Sequence, residues 1–419
     1  MLNVYLHSLI LFLFSCVFIP ELLYANSIEV CNSCEKSSIK SAISATNSLD
    51  TIFVLDGVYF EDNIDINHPL IILGKSDAII DGNGNSIFKI KSDSVVIKDL
   101  ILRNVRASYS EEKSAIHLLN SSNFVIENNT LINTFFGILV EKSSIGSIVG
   151  NKISGENTEE YNSGNGIHLW HSSFISISNN QVERMRDGIY FEFVDNCKIF
   201  GNKSCDNIRY GLHFMFSNKN IYNSNLFRNN GAGVAVMFSK NIIMKNNVFI
   251  KNWGASSYGL LLKEIYDAKI ENNLFEENTI AINAEGSNRI YYKRNSFKSN
   301  GWAIKILGAC YSNTFINNNF LNNSFDVSYQ GKLNDNLFLN NFWSDYTGYD
   351  LNRDGYGDVP YRPVKLFSYV VNNTPETIIL LRSLFIDLIN FSEKVSPIFT
   401  PDNLVDKKPL MRAINEISN

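Results

Sequence analysis

The sequence predicts an all-β chain wound as a parallel β-helix. Three observations support this: a marker asparagine that recurs about every 22 residues, alternating apolar stretches between the markers, and few helix formers over the same span. The markers, each followed after one residue by an apolar or aromatic side chain, are Asn129, Asn151, Asn180, Asn202, Asn225, Asn247, Asn273, Asn295, Asn318 and Asn340. They stand 22, 29, 22, 23, 22, 26, 22, 23 and 22 residues apart, so most units are one coil long and two carry insertions.

Between markers a small residue opens each strand-like stretch, as in Gly166-Ile-His-Leu-Trp170, Gly188-Ile-Tyr-Phe-Glu192, Gly211-Leu-His-Phe-Met215, Gly233-Val-Ala-Val-Met237 and Gly259-Leu-Leu-Leu-Lys263. Period-two alternation buries one face of a strand and turns the other outward. Ile167, Leu169, Ile189, Phe191, Leu212, Phe214, Val234, Val236, Leu260 and Leu262 are therefore expected inside. The residue two past the marker predicts an aromatic column, Phe227, Phe249, Phe275, Phe297, Phe320 and Phe342. Stacked corner asparagines bond along the column and tolerate left-handed backbone, a structural reason for their abundance. A leucine-rich repeat shares the period, but these units are poor in Leu and rich in Ile, Val, Phe and Tyr, with two strand-like stretches each.

Around this cylinder the chain divides into a signal peptide over 1–25, an N-terminal cap over 26–60, the β-helix over 61–345, an Asp/Gly-rich closing loop over 346–365 and a C-terminal helical segment and tail over 366–419. The apolar stretch Leu9–Ile19 is too short to span a bilayer and precedes a cleavage site after Ala25, which predicts export. A short helix over Ile39–Ile43 suits a cap, because an open coil end exposes core and strand edges. Across Glu376–Phe391, Ile378, Leu381, Leu384, Phe385, Leu388 and Phe391 recur at helical spacing. They predict a helix lying on the last coil, and docking on a membrane partner would use the same apolar excess. Polar and aromatic insertions at 155–164 and 252–258 leave the cylinder, as loops on a working face do.

A net charge of −5 and a pI near 5.8 exclude a basic footprint for nucleic acid. Cys31 and Cys34 sit just past the cleavage site, as a local disulfide or a metal or redox pair, whereas Cys197, Cys205 and Cys310 read as small buried hydrophobes. Asp350, Asn352, Asp354 and Asp358 match the first nine positions of a calcium loop, with Gly355 at the sharp turn. Position twelve is Tyr361, which lacks the usual carboxylate, so an Asp/Gly turn closing the helix is the competing reading.

The outward residues form columns. One reads His117, Leu139, His168, Tyr190, His213, Ala235, Leu261; the next reads Leu119, Glu141, Trp170, Glu192, Met215, Met237, Lys263. His, Trp, Tyr and Met thus replace the usual polar decoration on the middle coils, predicting a protein-docking surface. Thioethers and imidazoles on neighbouring rungs also form a ligand set for Cu(I), with His168, His213, Met215 and Met237 as candidates. Arg184, Arg186, Asp187 and Arg209 flank the same strands and would suit a sugar cleft, although Arg186 and Asp187 more simply form a corner salt bridge. His68 precedes a proline in a turn, and His171 caps a corner.

Asn165-Gly-Ile-His-Leu-Trp170, Arg186-Asp-Gly-Ile-Tyr-Phe191, Arg209-Tyr-Gly-Leu-His-Phe-Met215 and Gly233-Val-Ala-Val-Met-Phe-Ser239 resemble the NosD family, periplasmic maturation proteins of nitrous oxide reductase. Asn341-Phe-Trp-Ser-Asp-Tyr346, the loop from Asp350 to Asp358, Tyr361-Arg-Pro363 and Pro409-Leu-Met411 fit the same family, and the likeness runs from about residue 37 to 412. The resemblance implies a right-handed parallel β-helix in the periplasm, working with an ABC transporter permease and ATPase. It further implies copper received from a copper chaperone lipoprotein and delivered to apo nitrous oxide reductase, without turnover. The Cys31/Cys34 pair departs from the family. The alternative is a uronate lyase or epimerase, or a carbohydrate-binding solenoid.

Overall fold

The computed structural model describes residues 26–414 except 109, 157–158, 255–256, 332–334, 382 and 396–403, so the expected signal peptide lies outside the described residues. Three parallel sheets of 14, 13 and 12 strands run along a right-handed solenoid of about 13 turns. Each coil supplies one strand to each in that order, as Thr51–Val54, Gly57–Phe60 and Ile64–Ile66 do for an early coil. Ile167, Leu169, Ile189, Phe191, Leu212, Phe214, Val234, Val236, Leu260 and Leu262 all lie in one continuous core. At the strand openings space is short: a Cβ on Gly211 would stand 2.7 Å from the carbonyl oxygen of Gly233.

The corner between the first and second sheets carries the asparagine ladder. Asn180 donates from its backbone N and its Nδ2 to Asn202 Oδ1, at 3.0 and 2.9 Å, and Asn202 does the same to Asn225 Oδ1 at 3.0 Å in each case. The ladder asparagines are not themselves left-handed. The residue before each is: Asn128, Asn179, Ser224, Asn246, Asn272 and Asn317 have φ between 54° and 56°. A second ladder, Asn207, Asn230, Asn252, Asn278, Asn300 and Asn323, lines the next corner.

At the last coil the ladder passes from Asn318 to Asn341, not Asn340, so the final interval gains one residue. The aromatic column shifts with it. Phe227, Phe249, Phe275, Phe297 and Phe320 stack as expected, but the next ring is Trp343, 4.0 Å from Phe320, and Phe342 falls outside.

The solenoid also begins earlier than expected. Ser27–Val30 pairs with Thr51–Val54, so residues 26–60 supply strands, and the capping element proper is the helix α1 (Ile39–Ile43) with Ser38 as N-cap. Cys31 and Cys34 form a disulfide. At the other end Asp406 terminates the ladder: its carboxylate accepts from Asn340 N, Asn341 N, Asn341 Nδ2 and Trp343 Nε1. The tail, uninformative in sequence, is thus part of the closure.

The predicted C-terminal helix is broken into α2 (Leu366–Asn373), a 3-10 turn (Pro375–Leu380) and α3 (Leu384–Val395). Phe367, Val371 and Ile386 pack on Trp302 and Phe325 of the last coils. The stripe expected to face that coil faces outward instead. Ile378, Leu384, Phe385, Leu388 and Phe391 are exposed, and only Leu381 is partly covered. Ile386 takes the inward place instead.

Candidate functional site

The two outward columns have the register read from sequence: Leu139, His168, Tyr190, His213, Ala235 and Leu261 are successive partners, as are Trp170, Glu192, Met215, Met237 and Lys263. The first column, however, is not open to solvent. Leu139, His168, His213, Ala235 and Leu261 are all buried, although none of the three aliphatic ones belongs to the main core. The outer face here forms an open groove of about 750 Å³, with Ser108, Glu111, Glu112, Phe135 and Phe136 along its lining.

His168, His213, Met215 and Met237 all line this groove. They do not form one cluster. Tyr190 stands between the imidazoles, its ring 4.6 Å from His168 and 5.0 Å from His213. His168 is packed toward Phe136, whereas His213 shares its strand with Met215, whose partner on the next rung is Met237. Both methionines are half-buried. Among the described residues no three His, Cys, Asp or Glu are grouped to hold a metal ion, so a cation here depends on the thioethers.

Below the column lies a charge cluster that sequence reading placed differently. Asp187, wholly buried at the start of the strand Asp187–Glu192, does not pair with Arg186. Its oxygens face Arg209 Nε at 3.6 Å and His213 Nδ1 at 3.7 Å, because strand register brings Asp187 opposite Tyr210 one rung on. Arg209 also reaches Glu160 of the first insertion, at 3.4 Å. Asn165 Oδ1, His168 Nε2, Arg186 Nε, both Asp187 oxygens and both His213 ring nitrogens are buried without a hydrogen-bond partner. Native interiors seldom leave so many together, and each costs about 1–3 kcal/mol.

Burial pushes the His168 imidazole down to about 4, with Arg186 adding to the effect, so it is neutral at neutral pH. Burial and then Glu192 push the Tyr190 phenol up to about 12. Burial, then Glu141, holds the Glu112 carboxyl above its ordinary range.

Beside the methionines runs an exposed aromatic ladder. His171 stacks on Phe193 at 4.7 Å, Phe193 on Phe216 at 5.2 Å and Phe216 on Phe238 at 5.1 Å. All four have φ between 47° and 55°, a region costly for bulky side chains. The same corner carries Asn120 and Lys142 on earlier coils and Glu264, Gly286 and Gly308 on later ones. The ladder was visible in sequence as three Phe each directly following a Gly-opened stretch, and was missed because only alternate strand positions were followed.

In the closing loop Asp350 accepts from Gly355 N and Asp354 N, Asp354 from Tyr356 N, and Asp358 from Leu351 N. The carboxylates therefore tie the turn through backbone N–H groups.

These features define a right-handed parallel β-helix protein with a His/Tyr/Met face lining a groove, and residues 23–182 match the right-handed β-helix region family. Residues 149–352, just under half of the chain, match the family described as periplasmic copper-binding protein (NosD). Two relatives carry the name probable ABC transporter binding protein NosD. That of Pseudomonas aeruginosa is 27% identical over 51% of this chain and 43% of its own length. That of Stutzerimonas stutzeri is 26% identical over 35% and 29%. The match thus spans less than half of either relative. Among solved structures, the PL6 family alginate lyase AlyGC aligns with a TM-score of 0.57 at 13% identity, over 78% of this chain and 54% of that one. A family 28 exopolygalacturonase from Yersinia enterocolitica aligns at 0.52 and 11%, over 75% and 78%. At such identities the likeness is one of fold. No described helix is long and apolar enough to cross a membrane.

Proposed function

We propose that this protein is a periplasmic accessory factor for copper-site assembly of nitrous oxide reductase, binding Cu(I) transiently as cargo. The observation that carries the reading is the rung pairing of Met215 with Met237 beside His213 at one groove. Two thioethers and an imidazole make a soft, neutral donor set that prefers Cu(I) to harder ions and lets it leave again. His168, behind Tyr190, belongs to the same face as a second nitrogen donor on the path of the ion. The ladder from His171 to Phe238 adjoins the methionines and supplies a docking surface for the copper chaperone lipoprotein and for apo nitrous oxide reductase. The exposed stripe on α3 supplies one for an ABC transporter permease with its ATPase. Calcium at Asp350, Asn352, Asp354 and Asp358 would brace the closing loop, the donors being of the hard oxygen type it requires.

The test is competitive Cu(I) titration of the exported protein under reducing conditions, comparing the parent with the Met215→Leu/Met237→Leu double variant. A large loss of affinity in the folded double variant is expected. Unchanged affinity removes the reading, and turnover of uronate polymers by the same preparation would replace it with a lyase or epimerase.

A further inference from the structure

We propose that Asp187 is the positioning carboxylate of the cargo site: it takes the Nδ1–H of His213 and thereby presents Nε2 of that ring to the ion. The inference rests on the copper reading above and adds the group behind the ligand. Asp187 Oδ2 stands 3.7 Å from His213 Nδ1, with the side chain of each residue almost wholly buried. At that distance the pair is not yet hydrogen-bonded, and neither side chain has a hydrogen-bond partner elsewhere. The ring plane is held by Tyr190 on the preceding rung, at 5.0 Å and 77°, and by Tyr210 on its own strand, at 4.7 Å and 47°. With the ring so confined and Nδ1 facing Asp187, Nε2 lies on the opposite edge. Ala235, the rung partner of His213, is small, and the buried Nε2 has no hydrogen-bond partner of its own.

A neutral imidazole donates from one nitrogen and coordinates through the other, so whichever nitrogen faces the carboxylate selects the ligand atom. Ligating histidines commonly use this arrangement, and losing the outer partner costs about 10–100-fold in metal affinity. Asp187 is itself shared with Arg209 Nε at 3.6 Å, and Arg209 extends to Glu160 on the first insertion. The guanidinium stands against the buried carboxylate as its counter-charge and leaves the other oxygen facing the imidazole.

The test combines two measurements on the full chain. Nitrogen-15 NMR of histidine-labelled protein, with the His213 signals assigned by their loss in His213→Gln, is expected to show His213 protonated on Nδ1 without copper, and a mixture of tautomers in Asp187→Ala. Cu(I) competition is expected to show Asp187→Asn, near-isosteric and checked for an unchanged melting transition, about 10–100-fold weaker than the parent. An Nε2-protonated tautomer in the parent overturns the proposal. So does an unchanged Cu(I) affinity in folded Asp187→Asn when the double methionine variant has lost its own. If the methionine variant keeps full affinity the copper reading fails by itself, and the tautomer still decides what Asp187 does.

Discussion

Replacing Asn202 by Ala would remove one rung from the middle of the first ladder. Its Oδ1 accepts from Asn180 N and Asn180 Nδ2, and its Nδ2 donates to Ile177 O, Phe200 O and Asn225 Oδ1, all at a position 1% exposed. Asn180 Nδ2 keeps its bond to Ile148 O and Asn225 Oδ1 keeps the one from Asn202 N, so the group left wholly without a partner is the Asn180 backbone N–H. Orphaning it costs about 1–3 kcal/mol, and two net hydrogen bonds at about 0.5–1.5 kcal/mol each bring the expected loss to roughly 2–6 kcal/mol. That is a large share of a typical folding free energy. Guanidinium unfolding followed by tryptophan fluorescence and circular dichroism would read it as a lowered midpoint, with Asn202→Asp also destabilised because a buried carboxylate would then face three acceptors. A loss below about 1 kcal/mol would refute the reasoning, since water would then be replacing the amide at the corner.

Asp326 is buried on the last strand of the third sheet, and burial, partly offset by Lys365, pushes its carboxyl up to about 7. The unfolded chain releases this proton near pH ~4, so stability falls as pH rises from about 4 to about 7, by up to roughly 4 kcal/mol, and Asp326→Asn abolishes that slope in unfolding curves taken across the range. Phe216→Asn relieves about 1 kcal/mol of left-handed strain and loses two ring stacks, to Phe193 and Phe238, of about 0.5–1.5 kcal/mol each, so its stability falls by no more than about 2 kcal/mol; a larger loss would make the ladder structural. Calcium is expected to raise the melting temperature of the parent but not of Asp350→Ala, and an equal response from both would remove calcium from the loop. Asp406→Ala strips its acceptor from Trp343 Nε1 and is expected to unfold the last coils first, seen as faster amide exchange around Asn341 than around Asn202.

The columns were legible because a solenoid turns sequence period into spatial adjacency. Met215 and Met237 are 22 residues apart and one rung apart. The same logic failed where the period shifts without a change of residue type: Asn340 and Asn341 are consecutive, and only the Asp406 carboxylate and the bond from Asn318 show which of them bears the ladder. It failed again for exposure. His168 and His213 occupy outward positions, yet both are buried, with the aromatic rings of Phe136, Tyr190 and Tyr210 packed beside them. Asp187 was seen, but it was paired with its sequence neighbour Arg186 rather than with Arg209 one rung on.

The amino-acid order alone determined which side chains point inward and which share a stripe, because strand alternation and coil length are local properties that stacking merely repeats. Burial of the histidines, the outward stripe of α3 and the sealing of the last coil by Asp406 were decided by tertiary structure. Each depends on contact between segments whose separation obeys no period, and such contacts leave no recurring signal along the chain.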